Sequence, residues 1–202
     1  MNERVAPVAR LAAGEEWRPL GHLLGRAFQD DPVWMWVAQD DARRRRHLGP
    51  TFAQLIRKAV AAGTAWTDAE HGGVAVWAEP GAWKATPTEV ARLLLPMARA
   101  VGVGALRSRL EALSAMERHH PVEPHWYLEV IGTEPDRRGQ GIGGRLLAPM
   151  IDRLDEQGLA AYLESSKEAN LAFYHRLGFE ADEPLTLAPG CPPVWPMWRD
   201  PR

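Results

Sequence analysis

Residues 125–179 read HWYLEVIGTEPDRRGQGIGGRLLAPMIDRLDEQGLAAYLESSKEANLAFYHRLGF. A strand-like run, His125–Gly132, leads into a short polar loop and then a glycine cluster, Gly139, Gly141, Gly143 and Gly144. An amphipathic helix, Gly141–Gln157, is expected to follow at once. Glycines at a strand-to-helix turn let backbone N–H groups converge on an anion without Cβ clashes. The helix N-terminus adds unpaired N–H groups and the positive end of its dipole. The segment is expected to seat a pyrophosphate.

Gly139-x-Gly141-x-x-Gly144 matches the dinucleotide fingerprint, and Glu164 follows about where a ribose-binding carboxylate would sit. Three features oppose that reading. Six residues, Thr133–Arg138, separate strand from glycines, the fingerprint sits late in the chain, and only 58 residues remain after Gly144. A phosphate loop of the nucleotide-hydrolase type is excluded because no Lys-Ser or Lys-Thr follows the glycines. Taken alone, the cluster reads equally as a tight strand–helix turn.

Its surroundings are more specific. Ile131-x-Thr133-x-Pro135-x-x-Arg138-Gly139-x-Gly141-Ile142-Gly143 resembles the acetyl-CoA signature of the GCN5-related N-acetyltransferases (GNAT). Asn170-x-x-Phe173-Tyr174-x-x-x-Gly178-Phe179 resembles that family's second motif, in the right order and at a suitable separation. With the N-terminal AFQDDPVW segment, the whole chain looks like the puromycin N-acetyltransferase branch. The resemblance implies an α/β (α+β) fold: one domain over 1–202, with a mixed, mostly antiparallel sheet splayed after its fourth strand and helices on both faces. It implies an acetyl-CoA-binding core over 125–180 and a helical insert at about 85–120. It also implies acetyl-CoA as co-substrate, held by Ile131, Thr133, Arg138, Gly139, Gln140, Gly141, Ile142, Gly143, Gly144, Asn170 and Tyr174, with no metal. Thr133 stands where the family often has Val, and the insert Pro80–Pro124 is long.

The rest of the chain reads as alternating helices and strands, which calls for a sheet covered by helices. Strands are expected at Val5–Leu11, Ala65–Asp68, Val74–Ala78, Ala160–Glu164, Phe179–Asp182 and Pro193–Trp198. Helices are expected at Glu15–Phe28, Asp41–Ala61 and Glu168–Leu177, with a helical pair over Thr86–His119 broken around Val101–Gly104. Pro50 would kink the second helix or shorten it. At 202 residues and 46% hydrophobic content, one domain with a real core is expected. The net charge of −2 gives no general pull toward nucleic acid or membrane. One cysteine, Cys191, rules out an internal disulfide and suits a reducing compartment. No apolar run approaches a spanning helix and MNERVAPVAR lacks a signal-peptide core, so a cytoplasmic protein is expected. Arg supplies 21 of the 24 basic residues, a codon bias that suits a GC-rich bacterium.

Acetyl transfer sets the chemical requirements. Amides of Arg138–Gly144 would bind the pyrophosphate, and the Arg137 and Arg138 side chains can add charge. A bulge near Ile131–Thr133 would free backbone groups to pair with the pantetheine arm, and an N–H there could stabilise the oxyanion. The acceptor amine must attack neutral, so a base or a water path is needed. Tyr174 falls at the family's general-acid position. A phenol of pKa near 10 protonating a thiolate near 8.5 is uphill by roughly 2 kcal/mol, so a hydrogen bond to the developing thiolate is the safer role. Asn170, four residues earlier, shares its helix face, and both are expected at the edge of the apolar stripe Ala169, Phe173, Leu177. Outside the motif, Tyr174 would read as a boundary tyrosine.

Alternation along the strand puts His125, Tyr127, Glu129 and Ile131 on one face, which makes Glu129 the best-placed base. Glu129 reads equally as an exposed strand carboxylate. Glu164 is the second candidate, with more weight on a structural role. His119, His120, Asp30 and Asp31 fit loop and helix-end positions, Arg43–Arg46 a solvated helix face, and Cys191 an inert loop thiol. Trp34, Trp36, Trp83 and Trp126 could wall a planar substrate, with core packing as the default. The function expected is acetyl transfer to a primary amine of a small molecule, by direct attack in a ternary complex. A puromycin-like aminonucleoside or another antibiotic is among the acceptors, and the chain would be a monomer or homodimer. A coenzyme A-binding sensor with little turnover, and a dinucleotide-binding oxidoreductase, remain as alternatives.

Overall fold

The structure is a computed structural model describing residues 8–202. The strands are β1 (Arg10–Leu11), β2 (Ala65–Thr67), β3 (Gly73–Ala78), β4 (Trp126–Thr133), β5 (Ala161–Ser165), β6 (Glu180–Ala181) and β7 (Trp195–Arg199). The helices are α1 (Trp17–Ala27), α2 (Pro32–Val37), α3 (Asp41–Ala62), α4 (Pro87–Val101), α5 (Val103–His119), α6 (Ile142–Gln157) and α7 (Leu171–His175). The seven strands form one sheet in the order β1-β2-β3-β4-β5-β7-β6. Only β4 and β5 run parallel; every other pair is antiparallel. A doubly wound parallel sheet, which the oxidoreductase alternative needs, is therefore not the architecture of this chain.

Burial follows the strand alternation. Val74 and Val76 turn to one face, where they meet Leu20, Leu24, Phe52 and Ile56 of α1 and α3. Ala75 and Trp77 turn to the other, against Leu146, Leu147, Met150 and Leu154 of α6. The α1–α3 crossing is close because it is glycine-lined: a Cβ on Gly25 would lie 2.5 Å from the Gly49 backbone. Asp40 caps α3 by accepting from the Arg43 N–H at 2.8 Å, and the helix runs unbroken through Pro50 to Ala62. The expected shorter start is thus not taken. Thr86 and Glu89 form a reciprocal cap on α4, and the break in the helical pair falls at Gly102.

Three expectations on local structure need revision. The first strand is reduced to Arg10–Leu11, and residues 5–7 of the expected Val5–Leu11 run lie outside the described residues. The helix expected over Glu168–Leu177 is a 3₁₀ turn, Glu168–Asn170, followed by the short α7. Helix α2 was not expected at all. Asp31 caps it by accepting from the Trp34 N–H at 3.0 Å, with Pro32 in its first turn.

Two irregularities shape the middle of the sheet. β4 and β5 pair only at Trp126↔Ala161 and Tyr127↔Tyr162. Beyond that point β4 stays with β3 as far as Thr133, while β5 stays with β7 as far as Ser165. The sheet opens there as a wedge after its fourth strand. The second irregularity is a bulge: Val76 pairs with Val130 but Trp77 pairs with Leu128, leaving Glu129 without a partner on β3. The bulge sits at Glu129, not at Ile131–Thr133. It also shifts the alternation, because Leu128 and Ile131 both pack toward α6 while Val130 packs toward α1 and α3. Glu129 and Ile131 therefore lie on opposite faces.

Candidate active site

The wedge between β4 and β5 leads to the glycine loop. Gly139 and Gly141 have φ of +77° and +74°, left-handed values that favour glycine. Gly141 is the N-cap of α6 and offers no side chain to cap it. The first intrahelical bond runs from the Arg145 N–H to the Gly141 carbonyl at 3.2 Å, so the amides of Ile142, Gly143 and Gly144 precede the ladder. These N–H groups, at the positive end of a 16-residue helix, make an anion seat. The flanking cations do not behave as the sequence suggested. Arg137 pairs with Glu70 at 2.6 Å, and Arg138 pairs with Asp30 at 2.7 Å and donates to the Ala27 carbonyl at 2.6 Å. Arg145, which the sequence reading missed, folds over the loop and donates to the Gln140 carbonyl at 2.9 Å. A cation in the first turn of a helix opposes the dipole, which makes Arg145 the charge best placed to meet an anion there.

The Asp30–Asp31 turn spans the mouth of the wedge. Asp30 bridges Arg138 from the glycine loop and Lys167 beyond β5, at 2.7 and 3.0 Å. These partners hold its carboxyl well below the usual range, the Arg138 hydrogen bond foremost. Asp31 is buried and accepts from Ser166 Oγ; burial pushes its carboxyl up. Tyr174 lies near it. The Tyr174 side chain is 6% exposed and packs within the α6 core, deeper than the stripe-edge position expected for it. Burial, and then the Asp31 charge, raise its phenol above 10. Among the described residues its hydroxyl makes no hydrogen bond. Asn170 ends the 3₁₀ turn before α7 and is exposed. Ile131 and Phe173 flank Gly143, at 3.6 and 3.4 Å from where its Cβ would stand.

On the other face of the sheet, Glu129 sits in a cleft. Gln54, Leu55 and Lys58 of α3, Glu89 of α4, Glu79 and Trp83 line it. Glu129 is reached by water from the cleft, and protein crowds the other sides of its carboxyl. Burial lifts its pKa to about 7, with Lys58 pulling down and Glu89 pushing up. Lys58 is held by the Ala82 carbonyl at 2.8 Å and stands 3.9 Å from Glu89. Three carboxylates against one ammonium leave the cleft negative.

The remaining candidates separate. Glu164 is buried on β5 and accepts from Tyr127 Oη at 2.7 Å. His120 is buried beside it, not solvated in a loop, while His119 Nδ1 donates to the Ala115 carbonyl, 2.8 Å away. The tryptophans do not form a wall: Trp34 packs on Phe52, Trp126 lies in the α6 core, Trp36 lies under Arg109, and Trp83 stacks on His120. Cys191 is buried, and burial raises its thiol. Among the described residues no group of three or more His, Cys, Asp or Glu is placed to hold a metal ion, and no helix is long and apolar enough to cross a membrane.

An open wedge beside a parallel strand pair, closed at one end by an uncapped glycine turn, is a specific arrangement. Residues 88–179 match the model of the acetyltransferase (GNAT) family. The chain has the fold of the GNAT acetyltransferases. A crystal structure from Corynebacterium glutamicum, named for histone acetyltransferase HPA2 and related acetyltransferase, is 26% identical to this chain. The match covers 98% of each chain with a TM-score of 0.72. An uncharacterised N-acetyltransferase of Schizosaccharomyces pombe is 22% identical over 89% of this chain and 76% of its own. A polyamine N-acetyltransferase of Drosophila melanogaster shares the fold of this chain, at TM-score 0.61 and 18% identity, over 96% of this chain and 100% of its own.

Proposed function

We propose that the chain transfers acetyl from acetyl-CoA to a primary amine of a small molecule, by direct attack within a ternary complex. The observation that carries this reading is the open edge of β4. From Leu128 to Thr133 this strand has lost β5 but keeps β3, so its free backbone groups run from the bulge to the anion seat. That edge suits the pantetheine arm as an added strand, with the pyrophosphate on the amides of Arg138–Gly144 and Asn170 at the rim. The thioester would then end near Glu129, at the bulge.

The amine arrives as a cation, and a cleft bearing Glu79, Glu89 and Glu129 against Lys58 favours it. Attack needs the neutral amine. A carboxyl near pH 7 is suited to take that proton, since a base works best with a pKa near the operating pH. The nitrogen–carbonyl bond forms as the carbon–sulfur bond breaks, and a freed N–H of β4 stabilises the oxyanion. Tyr174, with a phenol held above its ordinary value, serves the departing thiolate as a hydrogen-bond donor. The raised phenol makes full protonation of the thiol by Tyr174 harder than the sequence implied.

A puromycin-like aminonucleoside, a polyamine and an arylalkylamine are all candidate acceptors. The first comes from the resemblance to the puromycin N-acetyltransferases, the others from relatives of the same fold that are named for those substrates. A panel of such amines with a thiol-release readout tests the reading. Saturable release that requires an amine supports transfer. Acetyl-CoA binding without release for any amine would favour a sensor.

A further inference from the structure

A buried polar cluster sits where β4 and β5 make their last pairing, close to the Glu129 cleft. Its members are Tyr127, Tyr162, Glu164, His120 and His125, and the reaction derived above uses none of them. Tyr127 Oη donates to Glu164 Oε2 at 2.7 Å. Glu164 Oε1 and Tyr162 Oη are both buried, and among the described residues neither has a hydrogen-bond partner of good geometry, although the Tyr162 hydroxyl lies close enough to act on the Glu164 carboxyl. His120 Nδ1 lies 3.9 Å from that free carboxylate oxygen. His120 Nε2 and His125 Nε2 are 3.0 Å apart, and His125 Nδ1 lies 2.6 Å from the Glu123 carbonyl.

These distances assign the protons. A carbonyl only accepts, so His125 Nδ1 carries a hydrogen and the neutral ring has a bare Nε2. His120 Nε2 must then donate to it, which leaves His120 Nδ1 bare. A bare nitrogen faces a free carboxylate oxygen, and the pair lacks one proton. Burial raises Glu164 to about 7 and lowers His120 to about 4, so the carboxyl is the group that holds that proton near neutrality. Other charged groups also act on the cluster: Glu129 on Tyr127, Lys84 on His120, Glu123 on His125 and Asp182 on Tyr162. Trp83 stacks on His120 at 3.8 Å between ring centroids and also lines the Glu129 cleft, so cleft and cluster share a wall.

We propose that this cluster is a proton relay from the acceptor cleft to the surface loop at Glu123, with Tyr127 as its inner end and His125 as its outer end. The relay rests on the direct-attack reading, in which one amine N–H must be lost for each acetyl transferred. The Glu129 carboxyl, having taken the amine proton, loses it through cleft water to Tyr127 Oη as the Tyr127 O–H proton passes to Glu164 Oε2. The Glu164 Oε1–H bond breaks as His120 Nδ1–H forms, and His120 Nε2–H breaks as His125 Nε2–H forms. The His125 imidazolium releases its Nδ1 proton to water at the exposed loop 121–124. One proton enters and one leaves. Rotation of the carboxyl group and tautomer exchange in both rings restore the start with no net proton change. The 3.9 Å link must shorten by about 1 Å for transfer, and His120 sits at the end of α5, where such a shift is local. All five are positioning residues, since none touches the reacting atoms.

Glu164→Gln keeps both contacts, because the carboxamide oxygen accepts from Tyr127 and its N–H donates to His120, but it passes no proton. His120→Phe fills the same aromatic site without a proton. Both variants should bind acetyl-CoA as the wild type does, lose about tenfold to a hundredfold in kcat, and recover in part with added imidazole. Nitrogen-15 spectra should show His120 protonated at Nε2 and His125 at Nδ1. The opposite tautomers would overturn the relay, as would kcat within about threefold of wild type in both folded variants. A loss that imidazole does not relieve would mark a structural role and overturn it too. The tautomer measurement needs no substrate. A wild type that acetylates no amine overturns the direct-attack reading and the relay together, whereas active, unimpaired variants overturn the relay alone.

Discussion

Glu129→Gln tests the base directly. The carboxyl titrates at about 7 instead of 4.5, because the cleft surrounds it. At pH 5 about one molecule in a hundred then carries the carboxylate, and at pH 7 about half do. If Glu129 is the base, kcat/KM should rise about fiftyfold between pH 5 and pH 7 and level off above pH 8. In Glu129→Gln that limb should vanish while acetyl-CoA affinity stays unchanged. The acceptor's own amine gives a similar limb, so the profile needs two acceptors of different amine pKa. A limb that moves with the acceptor and survives in Glu129→Gln would refute the assignment. The same shift has a sign for stability. A carboxyl whose folded pKa lies above its unfolded value binds more protons when folded, so it weakens the fold as pH rises from about 4.5 to about 7. Glu129→Gln should melt above the wild type at pH 8, with the gap closing by pH 4; cleft water keeps the gap smaller than full burial would.

Tyr174→Phe should lower kcat by about 10²–10⁴-fold and leave the acetyl-CoA KM nearly unchanged, since the thiolate contact forms in the transition state; stopped-flow thiol release separates the two. Gly141→Asp places a Cβ in a left-handed position and a charge on the anion seat, and should weaken acetyl-CoA binding more than tenfold by calorimetry with circular dichroism intact. Gly25→Val drives a side chain into the Gly49 backbone 2.5 Å away, and should cost about 1–3 kcal/mol or more in denaturant unfolding.

The glycine turn, the strand before it and the helix after it were legible because each depends on neighbours in the chain. The mixed, mostly antiparallel sheet and its splay followed from the family resemblance, not from periodicity. The bulge was misplaced because it is set by the register of Val76 and Trp77 on another strand, which the β4 sequence does not encode. That one-residue slip is also why alternation put Ile131 and Glu129 together. Helix α2 carried a usable signal, Asp31 before Pro32, but its six residues are too short for a periodic pattern. The depth of Tyr174 depends on packing against Phe179, 6.1 Å away between ring centroids and also in the α6 core. Arg137 and Arg138 were read as free cations because Glu70 and Asp30, their partners, are distant in sequence. The buried His120–Glu164 cluster joins the end of α5 to β5, so no local pattern announces it.

The most direct test incubates the purified chain with acetyl-CoA and each amine of the panel, then quantifies acetylated amine by mass spectrometry against free thiol. Direct attack predicts equimolar product and thiol, dependent on the amine, with no acetyl group on the protein at any time. Acetyl trapped on the protein, or thiol released at the same rate without an amine, would contradict it.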